Sequence, residues 1–101
     1  MITITQTDSS ITIEGHANYA EHGKDIVCAA VSILAQTLIQ TIVKKTDEKI
    51  KYVIQSGYIE IECERKLKET YLLFDAFFIG CQMLAANYPN NVKINRKKEK
   101  Q

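Results

Sequence analysis

His16 and Cys28 are the residues of this chain best suited to chemistry, and they stand twelve positions apart within Gly15-His16-Ala17-Asn18-Tyr19-Ala20-Glu21-His22-Gly23-Lys24-Asp25-Ile26-Val27-Cys28-Ala29-Ala30-Val31-Ser32. The histidine follows an alternating, strand-like run, and the cysteine enters the first turn of an apolar helix. Free amides and the positive dipole end at a helix start favour a thiolate over a thiol. The same amides can donate to an oxyanion that develops during acyl transfer. A neutral imidazole nearby can take the thiol proton, or stand with it as an imidazolium–thiolate pair, and later return a proton to a leaving amine. If the two residues meet in space, the chain is a cysteine-dependent enzyme.

Each of these residues also has a plainer reading. A lone Cys at the start of an apolar helix is commonly a small buried residue, and a His at a strand end is commonly a surface group. His22 competes with His16 for the base role, although a loop is a poor platform for an aligned base. Asp25 can cap the helix by accepting from amides two or three residues on, or can orient a catalytic histidine. Ser32, four residues after Cys28 on the same helix face, lines a substrate pocket or bonds a carbonyl within the helix. Cys63 and Cys81 read as packing residues. Glu60, Glu62 and Glu64 read as a solvated strand face, and the Arg96–Gln101 stretch as a solvated tail.

The elements that must carry these groups follow from periodicity. Ile2 and Ile4 alternate with Thr3 and Thr5, and Ile11 and Ile13 with Thr12 and Glu14, so two strands joined at Asp8-Ser9-Ser10 are expected. Continued strand parity puts His16 on the face opposite Ile11 and Ile13. Residues 17–24 form a polar loop. A helix runs from Ile26 to Lys44 or Lys45, with Val27, Val31, Leu34, Leu38 and Ile42 as its buried stripe and Ile39 and Val43 widening it. A second hairpin follows, Lys49 to Gln55 and Tyr58 to Glu64, turning at Ser56-Gly57. A second helix spans Leu67 to Asn87, with Leu72, Phe74, Phe77, Phe78, Cys81, Leu84 and Ala85 supplying apolar surface. Tyr88-Pro89-Asn90-Asn91 ends it, and Val92-Lys93-Ile94 makes a last short strand. The fold class is therefore α+β, antiparallel sheet packed on two long helices in the order ββαββα(β), as one domain over residues 1–101.

Bulk properties narrow the function classes. The formal net charge is +1, from 13 Lys+Arg and 12 Asp+Glu, so direct nucleic-acid binding is not expected. The apolar stretches are interrupted by Gln, Thr or Lys, which argues against a membrane span. Met1-Ile2-Thr3-Ile4-Thr5 lacks the basic head of a secretory signal, so a cytoplasmic location is expected. Three widely spaced cysteines are expected to be free thiols there. No Cys-x-x-Cys or His/Cys cluster suggests a metal, and no cofactor is implied.

Gly15-His16-Ala17, Tyr19-Ala20, Gly23 and the block Asp25 to Ser32 together resemble the ribosomal-processing cysteine protease Prp family, without gaps, over about a fifth of the chain. The resemblance implies a small cytoplasmic α+β homodimer that removes the N-terminal extension of bacterial large ribosomal subunit protein twenty-seven, cutting after a pair of aromatic residues. It implies that Cys28 is the nucleophile and His16 the general base. Asp25 and Ser32 match positions near the site, Gly15, Tyr19, His22 and Gly23 would line the substrate pocket, and residues 17–24 would form a flap over the peptide. Two readings stand beside it: a non-catalytic ribosome-assembly or interaction module, and a non-proteolytic thiol enzyme such as an acyl or redox transferase. A redox role is disfavoured because no resolving cysteine lies near Cys28 in sequence.

Overall fold

A computed structural model of the chain describes residues 1–21, 23–64 and 67–97. His22 and the last residues of the basic tail lie outside them. The elements run β1 (Ile2–Gln6), β2 (Ser10–Glu14), α1 (Ile26–Lys45), β3 (Ile50–Gln55), β4 (Tyr58–Cys63), α2 (Lys68–Asn87) and β5 (Val92–Arg96). The strands form one five-stranded sheet in the order β3-β4-β2-β1-β5.

The sheet is mixed, which corrects the antiparallel expectation. β1–β2, β2–β4 and β3–β4 pair antiparallel, but β1 and β5 pair parallel, with Ile2 opposite Val92 and Gln6 opposite Arg96. The cause is α2. A 20-residue helix carries the chain back along the sheet, so β5 leaves in the same direction as β4, and hence as β1. Hairpin patterning could not show this, because the partner of a last short strand depends on where the preceding helix delivers it.

Both helices cover one face of the sheet. Ile2, Ile4, Ile11, Ile13, Ile59 and Ile61 are buried against Val27, Val31, Leu38, Ile39 and Ile42 of α1 and Phe74, Phe77 and Cys81 of α2. At roughly 1.5–3 kcal/mol for each fully buried aliphatic side chain, this layer is the main source of cohesion. The opposite face carries Thr3, Thr5, Thr12, Glu14, Glu60 and Glu62, as the alternation requires. α1 ends with Lys44 and Lys45 in its last turn, where cations suit the dipole. α2 has no side-chain cap of its own; the buried Glu48 carboxylate accepts the Leu67 N–H instead.

Several expected core positions are displaced. Val43 and Leu72 are exposed rather than packed, and Leu34 is only half-buried, because the contact faces of both helices are narrower than their apolar stripes. Tyr52 and Ile54 stand opposite Ile61 and Ile59, on the helix-facing side, yet they remain exposed because β3 is an edge strand. Arg96 lies within β5 rather than in a solvated tail; it pairs with Asp75 at 3.2 Å, and its guanidinium stands 4.8 Å from the centre of the Phe78 ring. The expectation that no apolar stretch is long enough to cross a membrane also needs correcting. α1 meets that criterion by length and composition, but its Val27–Ile42 face is packed into the sheet.

Candidate functional site

Strand β2 ends at Glu14, and Gly15 follows with φ 96°, a backbone conformation that L side chains rarely adopt. A Cβ on Gly15 would stand 2.4 Å from the Met1 carbonyl oxygen, so the turn also needs glycine's bare backbone. The Gly15 N–H donates to the Gly57 carbonyl at 2.9 Å, which locks the end of β2 to the β3–β4 turn. Here the parity expectation fails usefully. The left-handed turn ends the alternation, and the exposed His16 ring joins a groove lined by Ile13 and Ile59, on the helix-facing side of the sheet. The ring packs on Gly57, whose φ of 71° keeps that position open.

Cys28 enters the same groove from α1. Asp25 is the N-cap: its Oδ1 accepts the Val27 and Cys28 N–H groups, each at 3.0 Å. Its Oδ2 accepts Tyr19 N–H at 2.9 Å and Ala20 N–H at 3.3 Å. Burial alone would raise the Asp25 carboxyl, but the amides of Cys28, Tyr19, Ala20 and Val27 outweigh it and hold the group below its ordinary value. Both carboxylate oxygens are thus occupied by backbone, so Asp25 caps the helix and clamps the loop, and among the described residues it makes no hydrogen bond to His16. Three first-turn amides are thereby taken: those of Val27 and Cys28 by the carboxylate, and that of Ala29, which donates to the Asp25 carbonyl at 3.1 Å. The donor that meets the sulfur is instead Ala17 N–H, 3.3 Å from Cys28 Sγ.

His16 and Cys28 therefore line one groove of about 590 Å³, together with Gly15, Gly23, Asp25, Ser32 and the hairpin residues Ile54 to Tyr58. Ile2, Ile13, Val31, Ile54 and Ile59 give the groove an aliphatic wall beside these smaller and polar residues. Among the described residues no hydrogen bond joins the imidazole directly to the thiol. Ser32 lines the groove while accepting a hydrogen bond from Gln36 Nε2 at 2.8 Å. Tyr19 does not line the groove. Its ring meets Tyr88 edge-on, with centroids 5.2 Å apart, and its backbone serves the Asp25 clamp. The other histidine of the loop, His22, lies outside the described residues.

Sequence reasoning missed the contribution of the β3–β4 hairpin. Ser56-Gly57 reads as a turn, and only the register of β2 on β4 brings it beside His16. It also missed Asn91, whose Nδ2 donates to the Ala17 carbonyl at 2.9 Å across 74 residues of chain. Tyr58 borders the groove and donates its hydroxyl proton to Glu60; that bond, burial and the charges of Glu60, Glu14 and Glu62 raise the phenol above its ordinary value.

An accessible thiol and an imidazole on one apolar-walled groove can perform acyl transfer on an extended peptide. Comparison with known proteins agrees. A Staphylococcus aureus protein named Ribosomal processing cysteine protease Prp is 27% identical over 92 residues, covering 88% of this chain and 87% of the relative. A Mycoplasma genitalium protein of the same name is 28% identical over 97 residues, covering 94% and 95%. The crystal structure of the S. aureus Prp in complex with a covalently linked product peptide superimposes with a TM-score of 0.90 at 25% identity, covering 96% of this chain and all of that one. The sequence profile of the family described as Cysteine protease Prp matches residues 1–93, and the chain belongs to that family of cysteine proteases.

Proposed function

We propose that the chain is a ribosomal-protein processing endopeptidase that removes the N-terminal extension of large ribosomal subunit protein twenty-seven, with Cys28 as nucleophile and His16 as general base. The observation that carries this reading is the convergence of His16 and Cys28 on one groove, with the Ala17 N–H on the sulfur. Membership in the cysteine protease Prp family and the names of the relatives support it. So does the peptide covalently linked to the S. aureus protease in its crystal structure.

In this mechanism His16 takes the Cys28 proton and the thiolate attacks the scissile carbonyl. The tetrahedral oxyanion collapses, the amine leaves with the proton returned by the imidazolium, and the acyl group stays on sulfur as a thioester. Water activated by His16 then adds to the thioester, releasing the carboxylate product and the thiol. The aliphatic walls of the groove suit the apolar or aromatic residues of the extension beside the cut. Asp25 acts through structure, by capping α1 and holding residues 19 and 20. The protein works in the cytoplasm as a homodimer, and the exposed Ile33, Ile79 and Met83 of the two helices are the apolar surface a second copy would cover.

Purified protein is incubated with the candidate precursor and the products are weighed intact. A single cut that releases the extension is expected, with no cut by Cys28→Ala and most of the rate lost in His16→Ala. Processing by Cys28→Ala at the normal rate overturns the assignment.

A further inference from the structure

We propose that Asn91 is a positioning residue for the thiol: by holding the Ala17 carbonyl it keeps the Ala17 N–H on Cys28 Sγ. Ala17 is fixed at three points. Its methyl group is buried at 1% exposure, its N–H donates to the sulfur at 3.3 Å, and its carbonyl accepts from Asn91 Nδ2 at 2.9 Å. A carbonyl only accepts, so the Asn91 side chain must present its NH₂ group there. Asn91 is itself anchored at both backbone ends. Its N–H donates to the Tyr88 carbonyl at 3.0 Å and its carbonyl accepts Ile2 N–H at 2.8 Å.

The need for an anchor comes from the next residue. Asn18 has φ 55°, a left-handed conformation that asparagine adopts more readily than other non-glycine residues but that its neighbours must still hold. Such a turn persists where its surroundings over-determine it, and the Asn91 bond falls on the peptide that joins Ala17 to Asn18. Without it the turn can relax, and the Ala17 N–H swings away from the sulfur. The peptide unit carrying that N–H also carries the His16 carbonyl, and it is planar, so the backbone of His16 turns with it. Asn91 does not itself line the groove, which makes its action indirect. A donor on sulfur favours the thiolate, the form that reacts.

The consequence for turnover rests on the protease reading above; the consequence for the thiol does not. Two variants remove the donor: Asn91→Asp, which keeps the heavy-atom shape, and Asn91→Leu, which keeps the branching but is larger and apolar. The readouts are the second-order rate of Cys28 alkylation by iodoacetamide at neutral pH, followed by intact mass, and kcat and KM on the precursor. Alkylation is expected to slow by about three- to tenfold in both variants, the scale of one hydrogen bond to a charged acceptor partly offset by sulfur basicity. kcat is expected to fall by at least as much and KM to change less than kcat, because Asn91 itself lines no part of the groove. Wild-type alkylation rates in either folded variant overturn the proposal. Should both variants fail to fold, the wild-type protein decides by amide hydrogen exchange: the Ala17 amide must be protected, and exchange at the rate of an open peptide overturns the proposal. If the wild-type protein leaves the precursor uncut while alkylation still depends on Asn91, the protease reading falls and the positioning role stands.

Discussion

The imidazole of His16 rests on the bare α-carbon of Gly57: a Cβ built at Gly57 would stand 2.8 Å from Nε2 and 3.1 Å from Cε1. Two elements that never touch in sequence, the end of β2 and the β3–β4 turn, thereby hold the proposed base in place. Gly57→Ala must push the ring aside and also adopt the φ of 71° that glycine tolerates. The backbone strain is expected to cost about 1–2 kcal/mol of stability. The loss of alignment is expected to cost kcat/KM on the order of 100-fold, far more than the stability change explains in a protein that stays folded. Urea unfolding and precursor cleavage measured on the same preparation separate the two effects. Full activity in Gly57→Ala would mean that the seat does not align the ring.

Asp25 joins two tasks in one carboxylate, and they can be separated. In Asp25→Asn the side-chain oxygen can still accept from Val27 and Cys28, but the NH₂ group now faces the Tyr19 and Ala20 amides, donor against donor. α1 keeps its cap while residues 19 and 20 are released. Exchange of the Tyr19 and Ala20 amide hydrogens is expected to quicken, turnover to drop, and Tm to fall less than in Asp25→Ala, which loses both tasks. The pH dependence follows from the direction of the shift. The folded-state carboxyl sits below its ordinary value of 3.8. Its stabilisation is therefore complete above that value and is lost as pH falls through the lower, folded one. The Tm difference between wild type and Asp25→Ala should persist through the neutral and mildly acid range and close in stronger acid. A gap that closes already near neutrality would assign the stabilisation to another group.

What the sequence made legible was local, and what it hid was long-range. Ile2, Ile4, Ile11 and Ile13 announce their strands by alternation, and Asp25 announces the start of α1 because its cap bonds reach only two and three residues ahead. The turn at Gly15 is different. Strand parity sends His16 to the wrong face, and one left-handed residue reverses the outcome. A glycine signals that such a conformation is allowed, not that it is used. The exposure of Tyr52 and Ile54 depends on β3 being the edge strand, and the parallel β1–β5 pair depends on where α2 delivers the chain. Neither is written in any short window. The Asn91–Ala17 bond spans most of the chain, and no periodicity or spacing rule points to it.

The three thiols should separate cleanly in reactivity. Cys63 and Cys81 are buried at 7% and 0% exposure, whereas Cys28 is half-buried and lines the groove. Burial pushes the Cys81 thiol up to about 12, so its thiolate is scarce at neutral pH even where a reagent could reach it. Native protein treated with iodoacetamide is therefore expected to take up one carboxamidomethyl group, on Cys28, and to lose precursor cleavage in step with it. Unfolded protein should take up three, matching the three cysteines. Substituting Cys81 by Ala empties a packed site beside Phe77 and is expected to cost about 1–3 kcal/mol of stability with little change in kcat. Peptide mapping after partial alkylation locates the first adduct. A first adduct on Cys63 or Cys81 in folded protein, with cleavage intact, would take the nucleophile role away from Cys28.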